Sequence, residues 1–187
     1  MTEITTSTKI RDVSIVHFRA YADSRGQFME TFRTEWFPQR SWKIIQSNRS
    51  QSAAGVLRGL HYHHNQVDYW QLLAGTIRVA LADLRPDSPT YRAVEVIDMD
   101  AASPIGLYIP VGVAHGFYAQ SAATLIYLVD NYYDGSDELG VAWNDPTLAI
   151  PWGVENPLLS DRDRKNPFLH EIPAALLPRE STQSPSA

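Results

Sequence analysis

Apolar and polar residues alternate through most of the chain. In TIRVALADLR, Ile77, Val79 and Leu81 fall on one face and Arg78, Ala80 and Ala82 on the other, the period of two that marks a β-strand. Similar runs occur in KIRDVSIVHFR, GQFMETFR, SWKIIQSN, GVLRGLHYH, AVEVIDMD, IGLYIP, HGFYAQ and ATLIYLVDNYY. Turn-rich segments such as ADSRG and LRPDSPTYR separate them. About eight to ten short strands at regular spacing predict an all-β sandwich or barrel. Helical patterning is confined to two short pieces, RTEWFPQR and IPAALL. From residue 144 the chain is rich in proline, and Trp152, Leu158 and Leu159 need burial, so an ordered wrap over the barrel is expected. The ending PRESTQSPSA reads as a disordered tail. The expected organisation is one domain over residues 1–178 and a tail over 179–187.

Composition narrows the function classes. A chain of 187 residues suffices for one domain with a sizeable core. A net charge of −5 argues against nonspecific nucleic-acid binding, while a local arginine cluster could still hold a phosphate. The sequence has no cysteine, which excludes disulfides, zinc–thiolate sites, iron–sulfur clusters and thiol nucleophiles. The N-terminus lacks the apolar core of a signal peptide, and no window approaches the roughly 18 apolar residues of a membrane span. A cytoplasmic protein without nucleic-acid or membrane partners is expected.

The stretch HYHHNQVDYWQLLAG carries the densest chemistry. His61 and His63 are two apart and share a strand face. His64 belongs to the opposite face and is expected to have no role. Asp68 and Gly75 follow, and IPVGVAHGF later supplies Pro110, Gly112 and His115. A His-x-His, acid, Gly hairpin followed by Pro-x-Gly-x-x-His resembles the two signature motifs of the cupin, or jelly-roll, barrel. The resemblance implies that a metal-binding member would use His61, His63, Asp68 and His115 as ligands. Such a set suits iron, manganese, nickel or zinc. Many cupins hold no metal, so spacing leaves both readings open.

A more specific resemblance runs over residues 10–170. GVLRGLHYH, ADLRPDSPTY, YIPVGVAHGF, NYYDGSDELGVAWNDP and LLSDRD occur in order, preceded by DSRGQFMETF and QSNRSQS. Together they resemble the dTDP-4-dehydrorhamnose 3,5-epimerase family of nucleotide deoxysugar epimerases, cupin-type barrels with short peripheral helices. The resemblance implies an isomerase acting on a nucleotide-linked 4-keto-6-deoxy sugar. A base removes a proton α to the ketone, and an acid returns one on the other face. By position, His61 matches the base, Asp163 the carboxylate that orients it, and Tyr127 the proton donor. Arg58, Gln46, Asn48, His115, Tyr133, Glu138 and Arg162 match substrate contacts, and Arg25 and Glu30 match nucleotide contacts. No cofactor is implied. In the family the N-terminal strands exchange between two subunits, which implies a homodimer.

Two positions depart from the family. His63 stands where glutamine is usual, and Asp68 where lysine is usual, in a loop about three residues shorter. A lysine offers a cation to a developing enolate, whereas an aspartate at about 4 Å opposes it by several kcal/mol at an effective dielectric near 20. The two departures also complete the metal-ligand set. Three readings follow: a divalent metal in the cavity; an Asp68 ion pair, with Arg58 as partner, in a metal-free site that performs one epimerisation or takes a different keto sugar; or a noncatalytic sugar-nucleotide binding module. A lone pair of His61 cannot serve as both base and ligand. The retained His61, Asp163 and Tyr127 favour base chemistry.

Overall fold

The computed structural model describes residues 2–180. In chain order the strands are β1 (Glu3–Thr6), β2 (Ser14–His17), β3 (Tyr21–Asp23), β4 (Gly26–Phe28), β5 (Gln46–Ser52), β6 (Leu57–Tyr62) and β7 (Asp68–Ala74). They continue with β8 (Thr76–Asp83), β9 (Val94–Asp100), β10 (Ile105–Ile109), β11 (Val113–Ala119), β12 (Ala123–Val129) and β13 (Leu139–Gly140). A six-stranded sheet has the order β1-β2-β10-β7-β12-β5, and a five-stranded sheet the order β13-β6-β11-β8-β9. The pairings within both are antiparallel. The non-consecutive neighbours make a jelly roll rather than a meander. The expected short helices are single turns of 3-10 helix, including Thr34–Trp36 and Ala174–Leu176. Among the described residues no helix is long and apolar enough to cross a membrane.

The period-two pattern places the core. Ile77, Val79 and Leu81 of β8 pack with Leu72, Leu107, Ile109, Val113, Phe117 and Leu125 between the sheets. The alternate face of β8 is also covered. Ala80 and Ala82 join Leu57, Leu60, Tyr62 and Ala114 beneath Val141, Leu148, Trp152, Leu169 and Ile172 of the C-terminal segment. Alanine's small side chain lets that segment lie close on the sheet. The expected wrap exists, and Trp152 is buried with Leu159 partly so, but Leu158 is 59% exposed. Leu158 contributes backbone instead: its carbonyl accepts from Leu57 N–H at 2.9 Å and its N–H donates to Gly55 at 2.8 Å. Of the segment expected as a tail, Arg179 and Glu180 are described; the Glu180 backbone N–H donates to Asp87. Residues 181–187 lie outside the described residues.

One charged pair sits wholly inside. Arg85 donates twice to Asp83, at 2.8 Å each, and Ser88 and Thr90 donate to the same carboxylate at 2.6 and 2.7 Å. Burial alone would raise the Asp83 pKa, but these donors hold it below the usual carboxylate value. Removing one partner of such a pair leaves an uncompensated charge in a low dielectric. Asp83→Asn is therefore expected to lower unfolding free energy by about 3–5 kcal/mol in urea melts. Asp98→Asn, which breaks the exposed pair with Arg78, is expected to change it far less.

Candidate active site

A cavity of about 340 Å³ opens between the two sheets. On β5 the alternation turns Gln46, Asn48 and Ser50 toward it while Ser47, Arg49 and Gln51 stay exposed. Tyr127 on β12 pairs with Asn48 on one side and Trp70 on the other, so all three share the six-stranded wall. The five-stranded wall supplies His61 on β6, paired with His115 on β11. The register of this pair shifts between His115 and Phe117, so Arg58 and His61 line the same cavity although three residues apart. Gly116 makes this approach possible: a Cβ there would meet the Arg58 carbonyl at 2.5 Å.

His61 Nε2 lies 2.7 Å from Asp163 Oδ1, joining β6 to a residue 102 positions later. Burial raises the Asp163 pKa, but hydrogen bonds from His61, Ser160 and the Gly59 backbone more than offset this and leave it below the ordinary carboxylate value. An ionised carboxylate only accepts, so Nε2 carries the hydrogen and the neutral ring keeps its lone pair on Nδ1. The tautomer is thus set by the partner. On the opposite wall, burial raises the Tyr127 phenol pKa, aided by Asp68 and Glu138 and opposed by Arg58. A raised phenol stays protonated at neutral pH and can act as a donor.

The remaining expected residues divide. Tyr133 and Glu138 line the cavity. Arg162 stands behind them, paired with the Glu138 carboxylate and donating to its carbonyl at 2.8 Å. Arg25 and Glu30 do not reach the cavity of their own chain. Arg25 pairs with Asp23 at 2.6 Å in the β3–β4 hairpin, and Glu30 pairs with Arg33, all of them exposed. The Asp68–Arg58 ion pair is also not formed. Arg58 donates to Ser52 Oγ at 3.0 Å and to the Gln51 carbonyl at 3.1 Å. Asp68 accepts instead from Gln66 at 3.0 Å and Trp70 Nε1 at 2.9 Å.

The four-ligand metal set needs correction as well. His63, Asp68 and His115 gather with donor atoms within 4.8 Å of one another, but His61 is not in this group. Asp163 holds its Nε2 on the other side. Gln66 and Trp70 were not anticipated as site residues. Trp70 was legible, because it is two residues from Asp68 on one strand and so shares its face.

An imidazole backed by a carboxylate on one wall and a phenol on the other, inside a jelly roll, fits a carbohydrate epimerase of the cupin superfamily. The family model described as dTDP-4-dehydrorhamnose 3,5-epimerase matches residues 7–171. The chain belongs to this family of isomerases. It is 37% identical to the dTDP-4-dehydrorhamnose 3,5-epimerase of Shigella flexneri, over 83% of this chain and 90% of that one. It is 38% identical to the dTDP-4-dehydrorhamnose 3-epimerase of Streptomyces niveus, over 86% and 82%. The crystal structure of dTDP-6-deoxy-D-glucose-3,5-epimerase from Legionella pneumophila, in complex with dTDP-4-keto-L-rhamnose, superposes with a TM-score of 0.89 at 34% identity. That match covers 97% of this chain and 100% of the other.

The Asp163 pKa gives a pH dependence. Its folded value is lowered, so its contribution to stability is complete above the unfolded value of about 4 and is lost as pH falls through the folded value. Asp163→Asn is expected to be less stable than the parent near neutrality, with the gap closing below about pH 4. Urea melts across that range measure it.

Proposed function

We propose that this enzyme inverts C3, C5 or both in a dTDP-linked 4-keto-6-deoxy sugar, with His61 as base, Asp163 as its positioning residue and Tyr127 as acid. The observation that carries the reading is the His61–Asp163 hydrogen bond on one wall with Tyr127 on the opposing sheet of the same cavity. The 4-keto group acidifies the neighbouring C–H. His61 takes that proton on Nδ1, and the bonding pair moves into an enolate whose charge rests on O4. Asp163 stabilises the imidazolium that forms. Tyr127 then delivers its proton to the same carbon from the other face, which inverts the centre. Exchange with solvent restores both groups.

Arg58 is the one Lys or Arg among the described cavity-lining residues, and it faces the developing charge. Gln46 and Asn48 hydrogen-bond to each other at 2.8 Å and present amides to the sugar, with His115 nearby. Tyr133, Glu138 and Arg162 form the rim. Arg25 and Glu30 are read as nucleotide contacts delivered to the cavity of a second subunit in a homodimer. In support, β3 and β4 stand as a separate two-stranded sheet whose Tyr21 and Phe28 are exposed. We place the enzyme in the cytoplasm.

Incubation with dTDP-4-keto-6-deoxyglucose in deuterated water, read by NMR, tests the reading. Deuterium at C3 and C5 is expected for a double epimerase and at one carbon for a single one; no incorporation sinks the proposal. His61→Asn and Tyr127→Phe are each expected to lower kcat roughly 10²–10⁴-fold. Arg25→Ala is expected to raise KM about tenfold with a smaller change in kcat, because the contact holds substrate and transition state alike.

A further inference from the structure

The epimerase reading gives His63 and Asp68 no task and His115 only a place near the sugar. His63 lies just beyond β6, Asp68 opens β7, and His115 is on β11. His63 Nδ1 lies 2.7 Å from the Asp137 carbonyl, and His115 Nδ1 lies 3.0 Å from the Val113 carbonyl. A carbonyl only accepts, so both rings carry hydrogen on Nδ1 and both keep the lone pair on Nε2. This is the opposite tautomer to His61. The two Nε2 atoms approach the carboxylate of Asp68, at 4.0 Å from His63 and 3.8 Å from His115. Three acceptors therefore converge, and all three side chains are at most 11% exposed. The separations exceed hydrogen-bond length, so no shared proton ties them together. Between them the donors are neutral, the Gln66 amide toward Asp68 and His63 and the Trp70 indole toward Asp68, so the converging lone pairs and the carboxylate have no cation in contact.

We propose that His63, Asp68 and His115 form a three-ligand site for a divalent first-row transition cation. Two imidazoles and one carboxylate match the preference of zinc, iron(II), cobalt(II) or manganese(II), and disfavour magnesium and calcium, which take oxygen ligands. The surroundings are those of oriented ligands. Each histidine is fixed through its other nitrogen by a backbone carbonyl, and Trp70 Nε1 holds Asp68 from the side. Asp137 adds to this, since its carboxylate accepts the backbone N–H groups of His64 and Asn65 at 2.7 and 3.0 Å and so shapes the loop carrying His63. Ligands at about 2.0–2.2 Å from one ion lie roughly 3–3.5 Å apart, so atoms that now lie within 4.8 Å of one another need to close by roughly 0.5–1.5 Å. The Gln66 amide, 3.0 Å from Asp68 and 3.4 Å from His63 Nε2, is a flexible side chain that can give way. His61 stays outside the set because its Nε2 is committed to Asp163. The bound ion would place positive charge where Asp68 alone places negative charge, while His61 remains free as a base. The proposal does not depend on the sugar chemistry.

Protein purified without a metal-affinity column, stripped with chelator and dialysed, is titrated with Zn²⁺ alone by calorimetry, with elemental analysis of the product. One equivalent per chain is expected, with Mg²⁺ giving no comparable uptake. Asp68→Asn and His115→Asn are expected to weaken Zn²⁺ binding by more than about a hundredfold, beyond what loss of an outer partner costs. His61→Asn is expected to bind Zn²⁺ within a few-fold of the parent. Metal-free circular dichroism checks that each variant is folded, and His115→Gln replaces His115→Asn if it is not. Failure to take up one equivalent, uptake unaffected by Asp68→Asn and His115, or equal loss in His61→Asn would overturn the assignment. Deuterium exchange by stripped protein is measured separately, so the epimerase reading and the metal site can fail independently.

Discussion

A 2.7 Å hydrogen bond from His61 to Asp163 joins the barrel wall to a segment 102 residues away. The rest of the chemistry depends on it. The carboxylate fixes which ring nitrogen carries hydrogen, which leaves the other with its lone pair. The bond exists only because the C-terminal segment packs on the five-stranded sheet through Trp152, Leu169 and Ile172. Hydrophobic contact on the outside of the barrel therefore sets proton chemistry on the inside.

The cavity shows how an apolar barrel tolerates polar groups at its centre. Each buried carboxylate is given donors: Asp163 has His61, and Asp68 has Gln66 and Trp70. These neutral donors satisfy Asp68 without cancelling its charge, unlike Arg85, which neutralises Asp83. Burial lowers the His115 pKa to about 4 despite the Asp68 charge, so its ring is neutral at physiological pH and adds no cation. Two histidine environments result on neighbouring strands, His61 held by a carboxylate and His63 and His115 held by backbone carbonyls.

Much of this was legible in the sequence. Period-two alternation gave the strands of both sheets, and the ordered motifs gave the family, His61, Asp163 and Tyr127. Strand parity put His61 and His63 on one face, as observed. The sequence pattern failed where the third dimension intervenes. Leu158 counted as a core residue by its chemistry, yet its backbone forms the contact and its side chain faces out. Arg58 and Asp68 were plausible partners by charge, but they stand in different sheets, where Arg58 bonds Ser52 and Gln51 and Asp68 bonds Gln66 and Trp70.

Residue types and their spacing determined the jelly roll, the absence of thiol chemistry and the residues available for acid–base work, because alternation and covalent identity are local properties of the chain. Only the tertiary structure decided how four candidate ligands divide into one imidazole tied to a carboxylate and a group of three. That division turns on a carboxylate from the far end of the chain and on backbone carbonyls that select tautomers. Neither leaves a trace in the spacing of histidines, because hydrogen-bond partners are chosen by distance in space rather than along the sequence.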